Sequence, residues 1–290
     1  MEETYFAAGG KGINISRALH AAGIPSTAVA LLGKSNGQIF ADEVRSQGIE
    51  LLPHWQEGRV RENITVTTVK GETRLSFPAL GTTKEKIKEI FSTLELRAGD
   101  ILTLTGRLPK GIETTDVIAQ LLELKGRGVL LVIDSKSFGI KDLRTVRPWL
   151  VKPNKEEMFS YYPRGVDTRP KALLGARTLH SWGIENVMIS IGSRGAVLYN
   201  NEGAFAFKAP HFKEIRSTVG AGDSAIAGFL AAHYQGLDSE SKLRYAVAFG
   251  TAACLSDGTL PPDIDVAMDI AAKLKLDEIE LVDHYDIEDI

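Results

Sequence analysis

The chain is poor in the residues that several specialised chemistries require. It has one cysteine, Cys254, in 290 residues. A lone cysteine makes no internal disulfide, so a reducing cytoplasm is the expected setting. Cys254 lies in the apolar run Ala252-Ala253-Cys254-Leu255, where a buried small hydrophobe is the ordinary reading. The six histidines show no metal-ligand spacing, so zinc is not expected. No apolar run approaches the roughly 18 residues of a membrane span, and no secretory leader is expected. An excess of one charge is also missing, since the formal net charge is −3. Nucleic acids and membrane surfaces favour a basic stripe, so both are excluded as expected partners. Any anion must then be met by a few local basic residues. What remains is an ordinary globular composition, 43% hydrophobic and 24% charged, long enough for one large α/β domain or two smaller ones.

Along the chain, segments of helical and strand period alternate. Gly12–Ala22 carries Ile15, Ala18, Leu19 and Ala22 at i, i+3, i+4, i+7 spacing, and Gly23 supplies a stop. Strands are expected at Thr27–Leu32, Ile101–Leu104, Val129–Ile133, Trp149–Val151, Val187–Ile191, Ala196–Tyr199 and Ala204–Phe207. Helices are expected at Thr115–Lys125, Pro170–Trp182, Ser224–Gln235, Lys242–Leu255 and Ile264–Leu274. Such alternation implies a mostly parallel sheet covered on both faces. Ile64–Phe77 breaks the rhythm: it alternates, is rich in threonine and turns at Lys70-Gly71-Glu72. It predicts a hairpin with one wet face, in a small sheet beside the main body.

Ligands of open α/β sheets bind beyond the carboxyl ends of the strands. Four successive ends are polar here: Thr105-Gly106-Arg107-Leu108-Pro109, Asp134-Ser135, Lys152-Pro153-Asn154 and Gly192-Ser193-Arg194-Gly195. Together they predict one site along one edge of the sheet.

The sharpest motif is Ser217-Thr218-Val219-Gly220-Ala221-Gly222-Asp223-Ser224, just before an apolar helix. Two glycines and a helix start leave backbone N–H groups free, an anion cradle suited to a phosphoryl group in transfer. Asp223 at its edge can take a proton from an attacking hydroxyl, or it can simply cap the helix. Other phosphate motifs do not fit. Gly33-Lys34-Ser35 has Ala28 where a P-loop needs its first glycine. Gly220-Ala221-Gly222-Asp223-Ser224-Ala225 fits a dinucleotide fingerprint only loosely and precedes two helices.

A second cluster, Ala8-Gly9-Gly10-Lys11-Gly12-Ile13-Asn14, opens the first helix. Lys11 can neutralise a phosphate and Asn14 can bond a sugar hydroxyl, or the segment is a loop with a solvated lysine. Arg61 and Asn63 enter the hairpin and can present a cation over the site. In a third cluster, Asn154 and Glu157 are three apart at a helix start. That spacing suits Mg²⁺ bound through water, and it suits a capping box equally.

Together these motifs resemble the ribokinase-like (PfkB) family of sugar kinases, from about Gly9 to Pro262. Gly9-Gly10-Lys11-Gly12-Ile13-Asn14 is similar to the family's substrate-side motif, and Ser217–Asp223 to its anion-hole and base motif. The following Ser16-Arg17, and Ser-Thr before Val-Gly-Ala-Gly-Asp, resemble the 1-phosphofructokinase and tagatose-6-phosphate kinase branch. The resemblance implies a ribokinase-like three-layer α/β sandwich over residues 1–290, with a β-sheet lid at about residues 55–80 that pairs subunits into a homodimer. It implies transfer from ATP, with Mg²⁺, to a ketohexose phosphate. Asp223 would be the base and Gly220, Ala221 and Gly222 the anion hole. Lys152, Asn154, Ser190, Gly192, Gly195 and Thr251 would face the nucleotide, with Glu157 near Mg²⁺. Gly10, Lys11, Asn14 and Arg61 would face the sugar, with Arg107 adding a phosphate contact or altering substrate choice. The family's opening strand, ending in Asn-Pro and an Asp that holds the sugar, has no expected counterpart before Gly9. A tagatose-6-phosphate kinase, another sugar kinase, or a sensor that binds without turnover are the alternatives.

Overall fold

The computed structural model describes residues 6–68 and 71–277. The first helix, α1 (Lys11–Ala21), is followed by β1 (Thr27–Gly33), α2 (Gly37–Ser46) and β2 (Glu50–Gln56). A hairpin, β3 (Asn63–Thr68) and β4 (Gly71–Ser76), comes next, then α3 (Lys84–Ser92), β5 (Ile101–Thr105), α4 (Thr115–Gly126), β6 (Leu130–Asp134) and α5 (Ile140–Val146). After β7 (Leu150–Val151), α6 (Lys155–Met158), α7 (Arg169–His180), β8 (Asn186–Ser190), β9 (Ala196–Asn200) and β10 (Gly203–Phe207), three helices close the described chain: α8 (Ala221–Tyr234), α9 (Ser239–Ala253) and α10 (Ile264–Lys273).

Six strands form one sheet in the order β10-β9-β8-β7-β6-β5. The run from β5 to β8 is parallel, while β9 and β10 are antiparallel additions at one edge. The parallel strands are apolar on successive positions because both faces are covered. Val132, Leu150, Met188 and Leu198 pack toward α1, α8, α9 and α10. Their neighbours Leu131, Ile133, Val151, Val187, Ile189 and Val197 pack toward α3, α4, α5 and α7. A period of two thus feeds two separate cores, and each fully buried Leu or Phe stabilises the fold by roughly 2 kcal/mol.

Helix α8 lies between α1 and α9, which explains why its sequence is apolar all round. Close approach is built in by Gly228, where a Cβ would stand 2.5 Å from the Tyr245 carbonyl oxygen. Likewise, a Cβ at Gly250 would stand 3.0 Å from that of Ala221. These contacts fix the N-terminus of α8 against α9.

Several elements differ from the sequence expectation. Helices α2, α3 and α5 and strand β2 lie in segments with no expected element. β2 contains Pro53 and pairs in parallel only with β1, the edge position where a strand tolerates proline. In the hairpin, Thr68 pairs with Gly71, so Gly71 and Glu72 belong to β4 rather than to the turn. Lys70, the first residue of the expected turn, lies outside the described residues. Ile64, Val66, Leu75 and Phe77 are all about half exposed, so the hairpin is apolar where its own chain leaves it uncovered. No helix among the described residues is long and apolar enough to cross a membrane.

Candidate active site

The segments that follow β7 and β8 open with the N-termini of α1 and α8 onto one cleft of about 1520 Å³, and the end of β6 opens onto a small adjoining cavity. The cleft exceeds the roughly 300–1,000 Å³ of a pocket for one small molecule, so two substrates fit side by side. Gly10, Lys11, Asn14 and Arg61 line the cleft, as do Lys152, Asn154, Ser190, Gly192, Gly195, Thr251 and Gly220 through Asp223.

Asp223 is the third residue of α8, and the N-cap is Gly220 with φ +80° and no side-chain cap. Asp223 therefore does not cap the helix. Its carboxylate is buried, and Oδ2 accepts from Asn14 Nδ2 at 2.8 Å. The amides of Gly222 and Asp223, in the first turn, have no intrahelical acceptor and carry the positive end of the helix dipole. Burial pushes the Asp223 carboxyl above the usual aspartate range. The Asn14 bond and the charges of Lys11 and Lys152 pull it down, and Asp134 pushes it up, with burial prevailing.

Beside Asp223 lies a chain of alternating charges. Lys11 Nζ donates to Asp134 Oδ2 at 2.8 Å, and Lys152 Nζ stands 3.7 Å from Asp134 Oδ1. Asp134 and Lys152 are both buried. Burial alone would lower the Lys11 ammonium, but the charge and hydrogen bond of Asp134 outweigh it and raise its pKa. A Cβ at Gly222 would stand 3.1 Å from Lys152 Nζ, so this ammonium sits directly under the glycine turn. Sequence reasoning singled out Asp134 as a polar strand end but gave it no role. Its partners are 123 residues before it and 18 after it in the chain, a pairing that only the fold makes visible.

Other expected residues are placed as follows. Asn14 is engaged on both sides, because its Oδ1 also accepts from Arg17 Nη1 at 3.1 Å; the second N–H of its amide is left over for a further acceptor. Asn154 and Glu157 form the full capping box of α6: Asn154 Oδ1 accepts from the Glu157 amide, and Glu157 Oε2 accepts from the Asn154 amide. Glu157 Oε1 stands 3.7 Å from Lys136. Glu157 does not line the large cleft; it borders a small adjoining cavity with Asp134, Lys152 and Tyr161. Among the described residues no group of three His, Cys, Asp or Glu converges on a metal position. Thr251 Oγ1 donates to Val247 of its own helix. Gly195, at φ +93°, is demanded by packing, because a Cβ there would collide with the Phe207 carbonyl. Arg107 is exposed beyond the end of β5 and is not among the residues lining the cleft.

An acid thus lies buried beside the N-terminal amides of α8 and two lysines, and comparison with known proteins gives the family of the chain that carries them. The pfkB family carbohydrate kinase model matches residues 1–265. The chain belongs to this family and is a carbohydrate kinase, which implies ATP as its phosphoryl donor. It is 30% identical over 275 residues to the 1-phosphofructokinase of Haemophilus influenzae, covering 93% of this chain and 88% of that one. With the 1-phosphofructokinase of Escherichia coli K12 it shares 30% over 249 residues, covering 85% and 80%. The fold matches the phosphofructokinase-2 of Escherichia coli, solved in complex with substrates and products, with a TM-score of 0.82 and 25% identity over 91% of this chain and 87% of that one. The ribokinase-like α/β fold expected from the motifs is the fold observed.

Proposed function

We propose that the chain transfers the γ-phosphoryl group of ATP to a hydroxyl of a ketohexose phosphate, converting fructose 1-phosphate to fructose 1,6-bisphosphate. The observation that carries this reading is Asp223, buried in the first turn of α8 and held by Asn14 beside unpaired helix amides. The acceptor hydroxyl gives its proton to Asp223 as its oxygen bonds to the γ-phosphorus. The bond from that phosphorus to the β-bridging oxygen breaks, and ADP leaves with the electron pair. The amides of Gly220, Gly222 and Asp223 face the charge that grows on the transferring group, while that of Ala221 donates to the Thr218 carbonyl at 3.4 Å. Lys11 and Lys152, held on either side of Asp134, supply fixed positive charge there.

The nucleotide would lie along Lys152, Asn154, Ser190, Gly192, Gly195 and Thr251. The sugar phosphate would lie toward Gly10, Lys11 and Arg61. Residues 1–290 act as one domain in this reading, with the hairpin as a lid. Its exposed Ile64, Val66, Leu75 and Phe77 suit pairing with a second lid in a homodimer; the phosphofructokinase-2 of Escherichia coli has been solved as a tetramer. Mg²⁺, when bound, neutralises nucleotide phosphate oxygens. A cation there would be held chiefly by those oxygens and water; Asn154 lines the cleft, and Glu157, beside the adjoining cavity, would reach a hydration shell only by giving up its place in the capping box.

The test is ADP release with Mg-ATP against fructose 1-phosphate, tagatose 6-phosphate, fructose 6-phosphate and free sugars. Preference for fructose 1-phosphate supports the assignment, and preference for tagatose 6-phosphate replaces the substrate but keeps the chemistry. Ligand binding with no ADP formed on any acceptor would leave a sensor and overturn the reading.

A further inference from the structure

One buried guanidinium ties Asn14, the partner of Asp223, to three other segments of the chain. Arg17 lies on α1, one turn after Asn14, and is only 6% exposed. Its Nη1 donates to Asn14 Oδ1 at 3.1 Å and to the Thr259 carbonyl at 3.2 Å, beyond the end of α9. Its Nη2 donates to the Ala8 carbonyl at 2.7 Å, just before the glycine cluster, and Nε donates to Gln47 Oε1 at 2.7 Å. A guanidinium can only donate, and an ionised carboxylate can only accept. The Asn14 amide between them therefore has one satisfactory orientation, oxygen toward Arg17 and nitrogen toward Asp223.

We propose that Arg17 is a positioning residue for phosphoryl transfer, fixing the Asn14 amide so that its nitrogen holds Asp223 Oδ2 and leaves Oδ1 to receive the proton of the acceptor hydroxyl. The proposal rests on the reading of Asp223 as the base. Arg17 touches neither reacting atom; it acts through Asn14, through Thr259, which lines the cleft, and through the buried Ala8, whose neighbours Ala7 and Gly9 line it. Without it, the amide is free to rotate, and the donor that Asp223 relies on is lost for part of the time. That donor lowers the Asp223 pKa, as do Lys11 from α1 and Lys152 from the end of β7, while burial and Asp134 from the end of β6 raise it. Loss of Arg17 therefore moves the carboxyl further up, and the acid limb of kcat/KM moves to higher pH.

The experiment compares Arg17→Met, Arg17→Lys, Asn14→Ala, the Arg17→Met/Asn14→Ala double variant and Gln47→Leu. Each is first checked for folding by thermal melting. Arg17→Met is expected to lower kcat by about 10- to 100-fold, within the range assigned to a positioned base. KM for ATP should change less than threefold, and the acid limb should move to higher pH. The double variant should be no slower than Asn14→Ala alone, since both remove the same hold on Asp223. Gln47→Leu removes one remote anchor at the half-buried end of α2 and should give a smaller displacement in the same direction. Multiplicative losses in the double variant, or an acid limb unmoved in every folded member of the set, would overturn the proposal. If instead Asp223→Asn retains wild-type turnover, it is the assignment of the base that fails, a result separable from any outcome at Arg17.

Discussion

Replacing Asp223 by asparagine tests the site with the least disturbance of shape. Asp223 is 6% exposed, and its carboxylate accepts a hydrogen bond from Asn14 Nδ2 at 2.8 Å. An amide at this position keeps that bond by turning its oxygen toward Asn14. Its NH₂ then faces the acceptor hydroxyl, where it can donate but cannot take a proton. A positioned base contributes about 10²–10⁴ in rate, so turnover in Asp223→Asn should fall by that factor, or about 3–5 kcal/mol of barrier. Stability should move the other way. Burial opposes the charge at Asp223, so removing it relieves a cost, and the melting temperature should stay level or rise. Nucleotide affinity should hold within about threefold, because the helix amides remain. Steady-state ADP release, ATP titration and thermal melting together decide the matter. Turnover within tenfold of wild type would refute the base assignment. A loss of ATP binding together with a lower melting temperature would mean that Asp223 is a structural residue after all.

Other perturbations follow from the same geometry. In the unmodified enzyme the acid limb of kcat/KM should lie above the ordinary aspartate range, since activity needs Asp223 ionised and its pKa is raised; a pH profile still flat through that range would contradict this. Gly222→Ala adds a helix former worth about 1 kcal/mol but places its methyl 3.1 Å from Lys152 Nζ. It should melt no lower than wild type yet turn over about 10²-fold more slowly, in proportion to a displaced anion-hole charge; melting and kcat measured on one preparation separate the two effects. Asp134→Asn leaves the buried Lys152 without its nearby counter-charge. Urea unfolding should show a loss of about 3 kcal/mol, as for a broken buried pair. Gly195→Ala meets both a positive φ and the Phe207 carbonyl, so soluble yield and melting temperature should both fall.

The location of the site was legible in the sequence because it depends on strand ends, and strand ends are local. Asp134, Lys152 and Ser190 each terminate or follow an apolar run. Once β6, β7 and β8 lie side by side, those ends must meet. The glycine turn before α8 was legible for a similar reason, since two glycines before an apolar helix leave few backbone alternatives. The strand β2 was not, because Glu50–Gln56 carries Pro53 and His54 and shows no clean alternation; it is a strand because β1 pairs with it. Helices α2 and α3 are short and bury few residues each, so their apolar signal is carried by single positions such as Val44 and Ile87.

The connections inside the site were least legible of all, and the reason is physical. A lysine beside two glycines reads as a cation awaiting an anionic ligand. The fold instead gives Lys11 a resident partner, Asp134, and gives Asp134 a second neighbour in Lys152. Two buried or half-buried ammonium groups near a phosphoryl site would repel each other and lose hydration without a fixed negative charge between them. Asp134 supplies that charge, so the lysines can be held in place before any nucleotide arrives. Asn14 shows the same logic on the other side of Asp223: it reads from sequence as a ligand for a sugar, and the fold also orients its amide between Arg17 and Asp223. In both cases the motif names the residues that gather at the site, and the contacts far apart in the chain decide which of them are free to meet substrate.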